Sequence, residues 1–479
     1  MGLTLDERPI TMGGDGGNVG LARSARRSAA NVVPEADESR SWFSRKAWGV
    51  FLLVLYPLLA AAPLATFALL NPISDHLRGA EVGTDCAVIG FTILALQFAI
   101  TARLSWVEAP FGLDVLLVFH RAMALVATAL LCVHPVLVAQ EEGWSLLTGW
   151  RVHWYIWAGR AVLALLLLHV VVSLSRRAIR LPYEKWRRLH QRFSLSVLTL
   201  GFAHSVAAGD DMQGGALLVW SFVMAVAIAA WLHSRVILPR LLLRRPFRVT
   251  EVKPEAPHVW TLTLERQGGR PFRFAPGQFQ FLRLHSAVVP PEEHPFTIAS
   301  SPARSGRISI TIKESGDFTS RVGRVRPGDL ATVHGPFGRF SHTLYPDEAD
   351  LVFVAGGVGI TPLMSMLRSM RERSEPRRVL LVYASRTAAD MLFTDELEAM
   401  QAGGCPSLTI VPVLDDAPDA SWVGEVGRLD AARLVRICGG AEGKAFYMCC
   451  PPGMMTSLNR GLKRLGVSPR RIHADYFSL

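Results

Sequence analysis

Four histidines stand inside apolar stretches, where an imidazole is costly unless it serves a purpose. His120 and His134 lie in one stretch, His190 and His204 in another. The members of each pair are fourteen residues apart. On an α-helix that is about 21 Å of rise and within about 40° of four whole turns, so a pair shares one face. Neutral imidazole binds iron well. Two facing helices with histidines at two matching depths could hold two six-coordinate haems stacked across a bilayer. The alternative is four histidines hydrogen-bonded within a helical bundle. His169, in a further apolar stretch, has no partner fourteen residues away and is expected to be structural; an inner-site ligand or a supporting group is the other option.

Six largely apolar stretches, 47–70, 85–101, 113–138, 154–175, 186–207 and 215–238, would position these groups. Each is near the ~20 residues needed to cross a ~30 Å hydrocarbon layer. Arg40, Arg45 and Lys46 precede the first; Arg176, Arg177, Arg180, Lys185, Arg187 and Arg188 lie between the fourth and fifth; Arg240, Arg244 and Arg245 follow the sixth. The opposite connections hold Asp75, Glu81, Glu141, Glu142, Asp210 and Asp211. The positive-inside rule therefore places both termini in the cytoplasm, with Trp48 and Trp186 at one interface and Trp144, Trp150 and Trp154 at the other. Spans three and five then run in the same direction, which matches His120 to His190 and His134 to His204 in depth. Arg160 needs a counter-charge, from a haem propionate or by snorkelling, and Arg121 and Arg192 flank the inner pair.

Composition agrees with this division. Of 479 residues half are hydrophobic and only 19% are charged, too few to solvate the surface of a soluble chain of this length. Six scattered cysteines with no CxxC argue against a disulfide framework, zinc fingers and plant-type iron–sulfur centres. The net charge of +11 is mainly topological, so nucleic acid is not expected as a partner. Residues 1–41 have no apolar core of secretory-signal type, and the Gly13–Gly17 run, with no strand before it, is expected to be flexible tail and not a phosphate loop.

After about residue 246 the texture becomes alternating, as in Val259–Leu264 and Arg307–Ile312, and predicts an antiparallel β-barrel. From about 350 strands alternate with Gly-rich turns and helices, predicting an α/β domain. His294-Pro295-Phe296-Thr297 suits a flavin, the aromatic packing on the ring and the hydroxyl reaching N5. Gly316-Asp317-Phe318-Thr319 offers backbone N–H groups and a hydroxyl to a pyrophosphate. Gly356-Gly357-Val358-Gly359-Ile360-Thr361-Pro362 follows a strand and opens a helix, where glycines let the backbone approach a phosphate. Ser385 and Arg386 at the next strand end suit a 2′-phosphate, favouring NADPH over NADH.

On these residues, about 47–479 resembles the NADPH oxidase/ferric reductase transmembrane family, its second half being similar to a ferredoxin–NADP reductase-like dehydrogenase. The family's HPFT, GDFT-like, GPFG and GGxGxTP motifs are matched at His294–Thr297, Gly316–Thr319, Gly335–Gly338 and Gly356–Pro362. Its CGPP segment is matched by Cys449-Cys450-Pro451-Pro452, with Cys450 where glycine is usual. Its terminal IHxExF is matched by Ile472–Phe477, with Asp475 replacing Glu and Ser478-Leu479 following. The resemblance implies catalytic positions at Thr297, Cys449, Asp475 and Phe477, with Cys449 and Phe477 also beside the nicotinamide and flavin. No EF-hand loop is present, so calcium control is not expected.

The expected architecture is a six-helix transmembrane bundle binding two haems, then an antiparallel β-barrel flavin domain and an α/β nucleotide-binding domain. The expected boundaries are a flexible cytoplasmic tail (1–45), the membrane domain (46–243), the FAD barrel (244–345) and the NADPH domain (346–479). The implied activity moves electrons from cytoplasmic NADPH through FAD and two b-type haems held by His120/His190 and His134/His204. The acceptor outside the plasma membrane would be O2, giving superoxide, or a ferric chelate or quinone. A non-catalytic haem-binding membrane component and a proton-relaying transporter are the rival classes; partner subunits and oligomeric state are not legible.

Overall fold

The structure is a computed structural model that describes residues 35–70, 79–209, 214–269, 271–303, 306–416, 422 and 424–475. Asp75, Asp210, Asp211, the Gly13–Gly17 run and the terminal Tyr476–Leu479, Phe477 included, lie outside the described residues. The chain divides into two compact units, 1–51 and 52–479. In the first, the described backbone is helical from Glu35, and Trp48 stacks on Phe51 with ring centroids 5.0 Å apart.

The apolar stretches are helices: α1 (Glu35–Leu70), α2 (Gly79–Thr101), the short α3 (Ser105–Phe111), α4 (Leu113–Glu142), the single turn α5 (Ser145–Thr148), α6 (Trp154–Ser175), α7 (Tyr183–Ala208), α8 (Gly214–Leu232) and α9 (Leu238–Leu243). Among the described residues, five segments are long and apolar enough to cross a membrane: Lys46–Leu69, Gly79–Thr101, Leu113–Glu142, Trp154–Ser175 and Gly214–Leu243. The expected fifth span, α7, is a helix but not one of these five. Its first three turns carry Glu184, Lys185, Arg187, Arg188 and Arg192, so only its second half is free of formal charge and largely apolar. Internal prolines Pro57, Pro63 and Pro135 do not end their helices, as is common where neighbouring helices re-satisfy the backbone. Small residues bring α2 and α4 together: a methyl on Gly83 would lie 3.0 Å from the His134 carbonyl, and one on Gly90 3.1 Å from that of Ala127.

A π-turn at His233–Ile237 joins α8 to α9 without a break. Three residues later the chain enters the first strand of an antiparallel sheet of six: β1 (Phe247–Ala256), β2 (Val259–Arg266), β3 (Phe279–His285), β4 (Glu293–Thr297), β5 (Arg307–Lys313) and β6 (Leu330–Phe337), in the order β4-β3-β6-β1-β2-β5. Alternation puts one face inward. Leu262 pairs with Ile310 and Leu264 with Ile308, and all four are fully buried.

The second sheet is parallel: β7 (Asp350–Gly356), β8 (Arg378–Ser385), β9 (Ser407–Leu414), β10 (Glu425–Val426), β11 (Lys444–Cys449) and β12 (Ile472–Ala474), in the order β10-β9-β8-β7-β11-β12. Helices α10 (Ile360–Glu372), α11 (Thr394–Gly403), α12 (Ala431–Ile437) and α13 (Pro452–Arg464) accompany it. Leu351, Phe353 and Ala355 pack into one core and Val352 and Val354 into another, so β7 is buried on both faces. Strand order reverses between β7 and β11. In such sheets the ligand crevice opens beyond the carboxyl ends of the strands at that point.

Candidate functional site

In the membrane half, each of the four paired histidines has its Nδ1 occupied. His134 Nδ1 lies 3.0 Å from the Gly83 carbonyl oxygen and His204 Nδ1 2.8 Å from that of Tyr155. His120 Nδ1 lies 3.0 Å from Gln97 Oε1, and His190 Nδ1 2.6 Å from His169 Nε2. Among the described residues no hydrogen bond reaches the Nε2 atoms of His120, His134, His190 or His204. That is the disposition of metal-binding histidines, whose second nitrogen is oriented by a carbonyl or another polar group. The His120 and His190 rings are brought together, centroids 6.1 Å apart, across α4 and α7. His169 is buried and props His190, and Trp186 packs on the same ring at 5.0 Å. The four imidazoles thus fit iron ligation.

Arg160, expected to meet a haem propionate or to snorkel, has backbone carbonyl partners among the described residues. Its Nε donates to the Leu146 carbonyl at 2.9 Å and its Nη1 to that of Gly149 at 2.8 Å, so the carbonyl end of α5 supplies the negative pole. Arg121 and Arg192 are exposed. Gln97, Gly83 and Tyr155 were not singled out from the sequence. Gln97 carried a signal, an amide inside a span, whereas carbonyl partners carry none.

In the soluble half, β4 presents His294-Pro295-Phe296-Thr297 along a cavity of about 270 Å³ lined by Phe111, Asp114, Phe279, Phe296, Thr297, Phe340 and Asp475, among others. The Thr297 hydroxyl is buried and without a hydrogen-bond partner, so a ligand polar atom is what it lacks. The apolar walls and that hydroxyl fit an isoalloxazine ring. His294 leans on Phe318 at 4.3 Å, and its Nε2 lies 3.2 Å from Glu292 Oε2.

Two expectations at the phosphate turns, for the hydroxyls of Thr319 and Thr361, are corrected. Thr319 Oγ1 accepts from the backbone N–H groups of Ser315 and Gly316, at 2.8 and 2.9 Å, so that hydroxyl and those two amides are spent within their own turn. Thr361 is buried and donates to the Val358 carbonyl at 3.0 Å, fixing the start of α10 with no hydroxyl left for a ligand; Pro362 beside it is buried too. Gly356 and Gly359 are glycines for packing: a methyl on Gly359 would lie 2.0 Å from the Cys449 carbonyl oxygen, and one on Gly356 2.7 Å from Cys450 Cβ. Gly357 alone has the left-handed backbone, φ +54°, with open space where a side chain would be. That is the approach face of the turn.

The turn and Cys449 meet at the strand reversal. Cys449 is fully buried at the end of β11, and burial pushes its thiol well up, with Asp475 and Cys450 adding to the effect. It is a neutral wall, not a thiolate nucleophile. Cys450 is likewise pushed up by burial, to about 12. Ser385 Oγ is buried without a partner, next to the exposed Arg386. The Asp475 backbone N–H donates to the Met448 carbonyl at 3.0 Å, seating its carboxyl beside Cys449 and in the lining of the flavin cavity. Burial raises that carboxyl to about 7, with Asp114 contributing in the same direction. Glu348 accepts from the Tyr447 hydroxyl at 2.6 Å and lies 2.8 Å from His473 Nε2, anchoring β12 and thereby Asp475.

Comparison with known proteins agrees with this layout. Residues 86–201 match the family described as ferric reductase like transmembrane component, 246–327 the FAD-binding domain and 353–460 the oxidoreductase NAD-binding domain. Ferredoxin–NADP reductase B of Sorangium cellulosum is 32% identical over 240 residues, covering 48% of this chain and 96% of that protein. A component of the Na(+)-translocating NADH-quinone reductase of Yersinia enterocolitica is 27% identical over 215 residues, 42% of this chain and 52% of the relative, so about half its length is spanned. The crystal structure of an Amycolatopsis cytochrome P450 reductase superposes with a TM-score of 0.43 at 25% identity, covering 49% of this chain and 69% of that one.

Fold and site together define a membrane protein that carries FAD-binding and NAD(P)-binding domains of oxidoreductase type. The chain belongs to the ferredoxin–NADP reductase family through its C-terminal half, joined to a ferric-reductase-like membrane component in the architecture of the NADPH oxidases and ferric reductases.

Proposed function

We propose that this protein is a transmembrane oxidoreductase that passes electrons from cytoplasmic NADPH, by way of FAD and two bis-histidine b-type haems, to an acceptor on the far side of the plasma membrane. O2, yielding superoxide, is the first acceptor. A ferric chelate is the second, favoured by the match of residues 86–201 to a ferric reductase component. The observation that carries the reading is the set of four span histidines whose Nδ1 atoms are engaged while their Nε2 atoms have no protein partner among the described residues.

When bound, FAD would divide the electron pair of a hydride and haem iron would relay the electrons singly. The chain's own residues do the positioning. His120 and His190 would hold the inner iron and His134 and His204 the outer, with Gln97, His169 and the carbonyls of Gly83 and Tyr155 locking the imidazole rings. Phe296 and the Thr297 hydroxyl would seat the flavin ring. The open Gly357 backbone faces the nucleotide phosphates, and Ser385 with Arg386 would take the 2′-phosphate. Cys449 packs as a neutral wall beside Asp475, and Phe477, in the terminal residues, would shield the flavin as the family resemblance implies. The partners are lipid and a small-molecule acceptor, not nucleic acid; the basic residues flanking the spans support a cytoplasmic dehydrogenase.

The test is anaerobic addition of NADPH to purified, FAD-supplemented protein, followed by visible spectroscopy and then admission of oxygen. Flavin bleaching followed by bands of reduced six-coordinate haem is expected, with reoxidation by oxygen and reduction of a superoxide-specific probe. Haem bands undiminished in a His134→Ala/His204→Ala double variant would sink the ligand assignment.

A further inference from the structure

Electron transfer leaves one strongly basic surface of the molecule unused. Between Arg428 and Arg471 the chain carries nine Lys or Arg against two Asp or Glu. Helices α12 and α13 lie in that stretch, and residues of both line a groove of about 740 Å³. The two helices touch within it, where a methyl on Gly461 would lie 2.4 Å from Ala431 Cβ. One wall is a stripe of α13. Gly453, Thr456, Ser457, Arg460 and Arg464 are spaced so that they share one helical face. Exposed Leu465 lines the groove beyond Arg464.

The positive charge here is not neutralised from within. Arg460 and Arg464 are exposed, as are Arg428, Lys463 and Arg470. Among the described residues none of these five side chains has a hydrogen-bond or ion-pair partner. The one acid in the lining, Asp430, is spent on capping α12, its Oδ1 accepting the Arg433 N–H at 2.8 Å. The Thr456 hydroxyl is spent too, donating to the Pro452 carbonyl at 2.9 Å. Arg433, by contrast, is paired with Glu425 at 2.6 Å. We propose that this groove binds an extended acidic segment of a soluble partner protein, whose carboxylates pair with Arg460 and Arg464.

Spacing and shape select that occupant. Four residues along a helix are about 6 Å of rise. Alternate side chains of an extended chain are about 6.6 Å apart. Two carboxylates separated by one residue therefore meet both guanidiniums, and a carboxylate suits the planar fork of arginine. Leu465 offers an apolar contact to a residue that follows them. The groove is concave, so a chain fills it and a flat bilayer surface does not. No aromatic residue lines it, so nucleic-acid bases find no stacking platform. Its lining shares no residue with that of the flavin cavity, so the segment sits on the nucleotide domain without entering that cavity.

Fluorescence anisotropy with the full-length, FAD-loaded protein in phosphatidylcholine nanodiscs tests this. The probe is a labelled peptide with two glutamates separated by one residue and followed by leucine. A control peptide has the same composition with the glutamates adjacent. Saturable binding of the probe is expected, weakening as salt is added. Affinity should fall about tenfold in Arg460→Ser/Arg464→Ser, and the control peptide should bind more weakly than the probe. Arg177→Ser/Arg180→Ser, which removes equal charge elsewhere, should bind the probe as the parent does. Flavin content and melting temperature of Arg460→Ser/Arg464→Ser should match the parent's, since both side chains are exposed. Absence of saturable binding to the parent, equal affinity for the two peptides, or undiminished affinity in Arg460→Ser/Arg464→Ser overturns the proposal. So does loss of probe binding when phosphatidylserine replaces phosphatidylcholine, because the basic surface then belongs to the lipid.

Discussion

A methyl group on Gly159 would lie 2.6 Å from His204 Cε1 and 2.9 Å from its Nε2, closer than any real side-chain carbon sits. Gly159→Ala should therefore turn the His204 imidazole out of its bond to the Tyr155 carbonyl. Haem content should fall from two toward one per chain, by pyridine haemochrome assay, with flavin content unchanged. At the other site the sign of the pH effect can be stated. The Asp475 carboxyl, raised by burial to about 7, contributes stability below its unfolded value that is lost as pH rises through about 7. Asp475→Asn should consequently melt higher than the parent at pH 8 and not at pH 4, the gain being no more than about 4 kcal/mol. At this scale the sequence was legible where a residue type is rare in its setting, as with histidine inside a span. Thr361 and Thr319 were misread because a hydroxyl in a phosphate-type motif looks the same whether it meets a ligand or its own turn; only the backbone geometry separates them.

Short elements between the spans matter more than their length suggests. Glu108 of α3 is buried and accepts the Gly338 N–H at 3.0 Å, and Arg339 donates to the Pro110 carbonyl. Arg103, before α3, pairs with Glu293 at 2.9 Å while lying over the Phe281 ring at 3.6 Å. Burial works to raise the Glu293 carboxyl, but Arg103 prevails and holds it below the ordinary range, with His334 and Arg187 assisting. This clasp fastens β4, the strand bearing Thr297, to the membrane half. Glu293→Ala should slow haem reduction roughly tenfold, equivalent to about 1.4 kcal/mol, while leaving flavin reduction by NADPH unchanged in stopped-flow traces. Strands β2, β5 and β7 were legible from alternation and turn residues. The α3 segment was not, because its seven residues are defined by what they dock against and not by a period of their own.

For the molecule as a whole, the membrane half was legible from apolar length and the soluble half from its turn motifs, while the charged start of α7 blurred the count of spans. The distribution of basic residues makes orientation testable. Sealed right-side-out vesicles should ignore externally added NADPH until permeabilised, whereas inverted vesicles should oxidise it directly. Equal rates in both preparations would contradict a cytoplasmic dehydrogenase.

The last span runs through its π-turn into α9, and only Arg244, Arg245 and Pro246 separate that helix from β1. A tether this short leaves the soluble half little room to swing. On the proposed function, charge would cross a standing gap, unlike the transfer made by a mobile carrier that docks, loads and departs. Transfer speed should then be insensitive to solvent viscosity, and lengthening the joint with a few glycines should introduce a viscosity dependence that the native protein lacks.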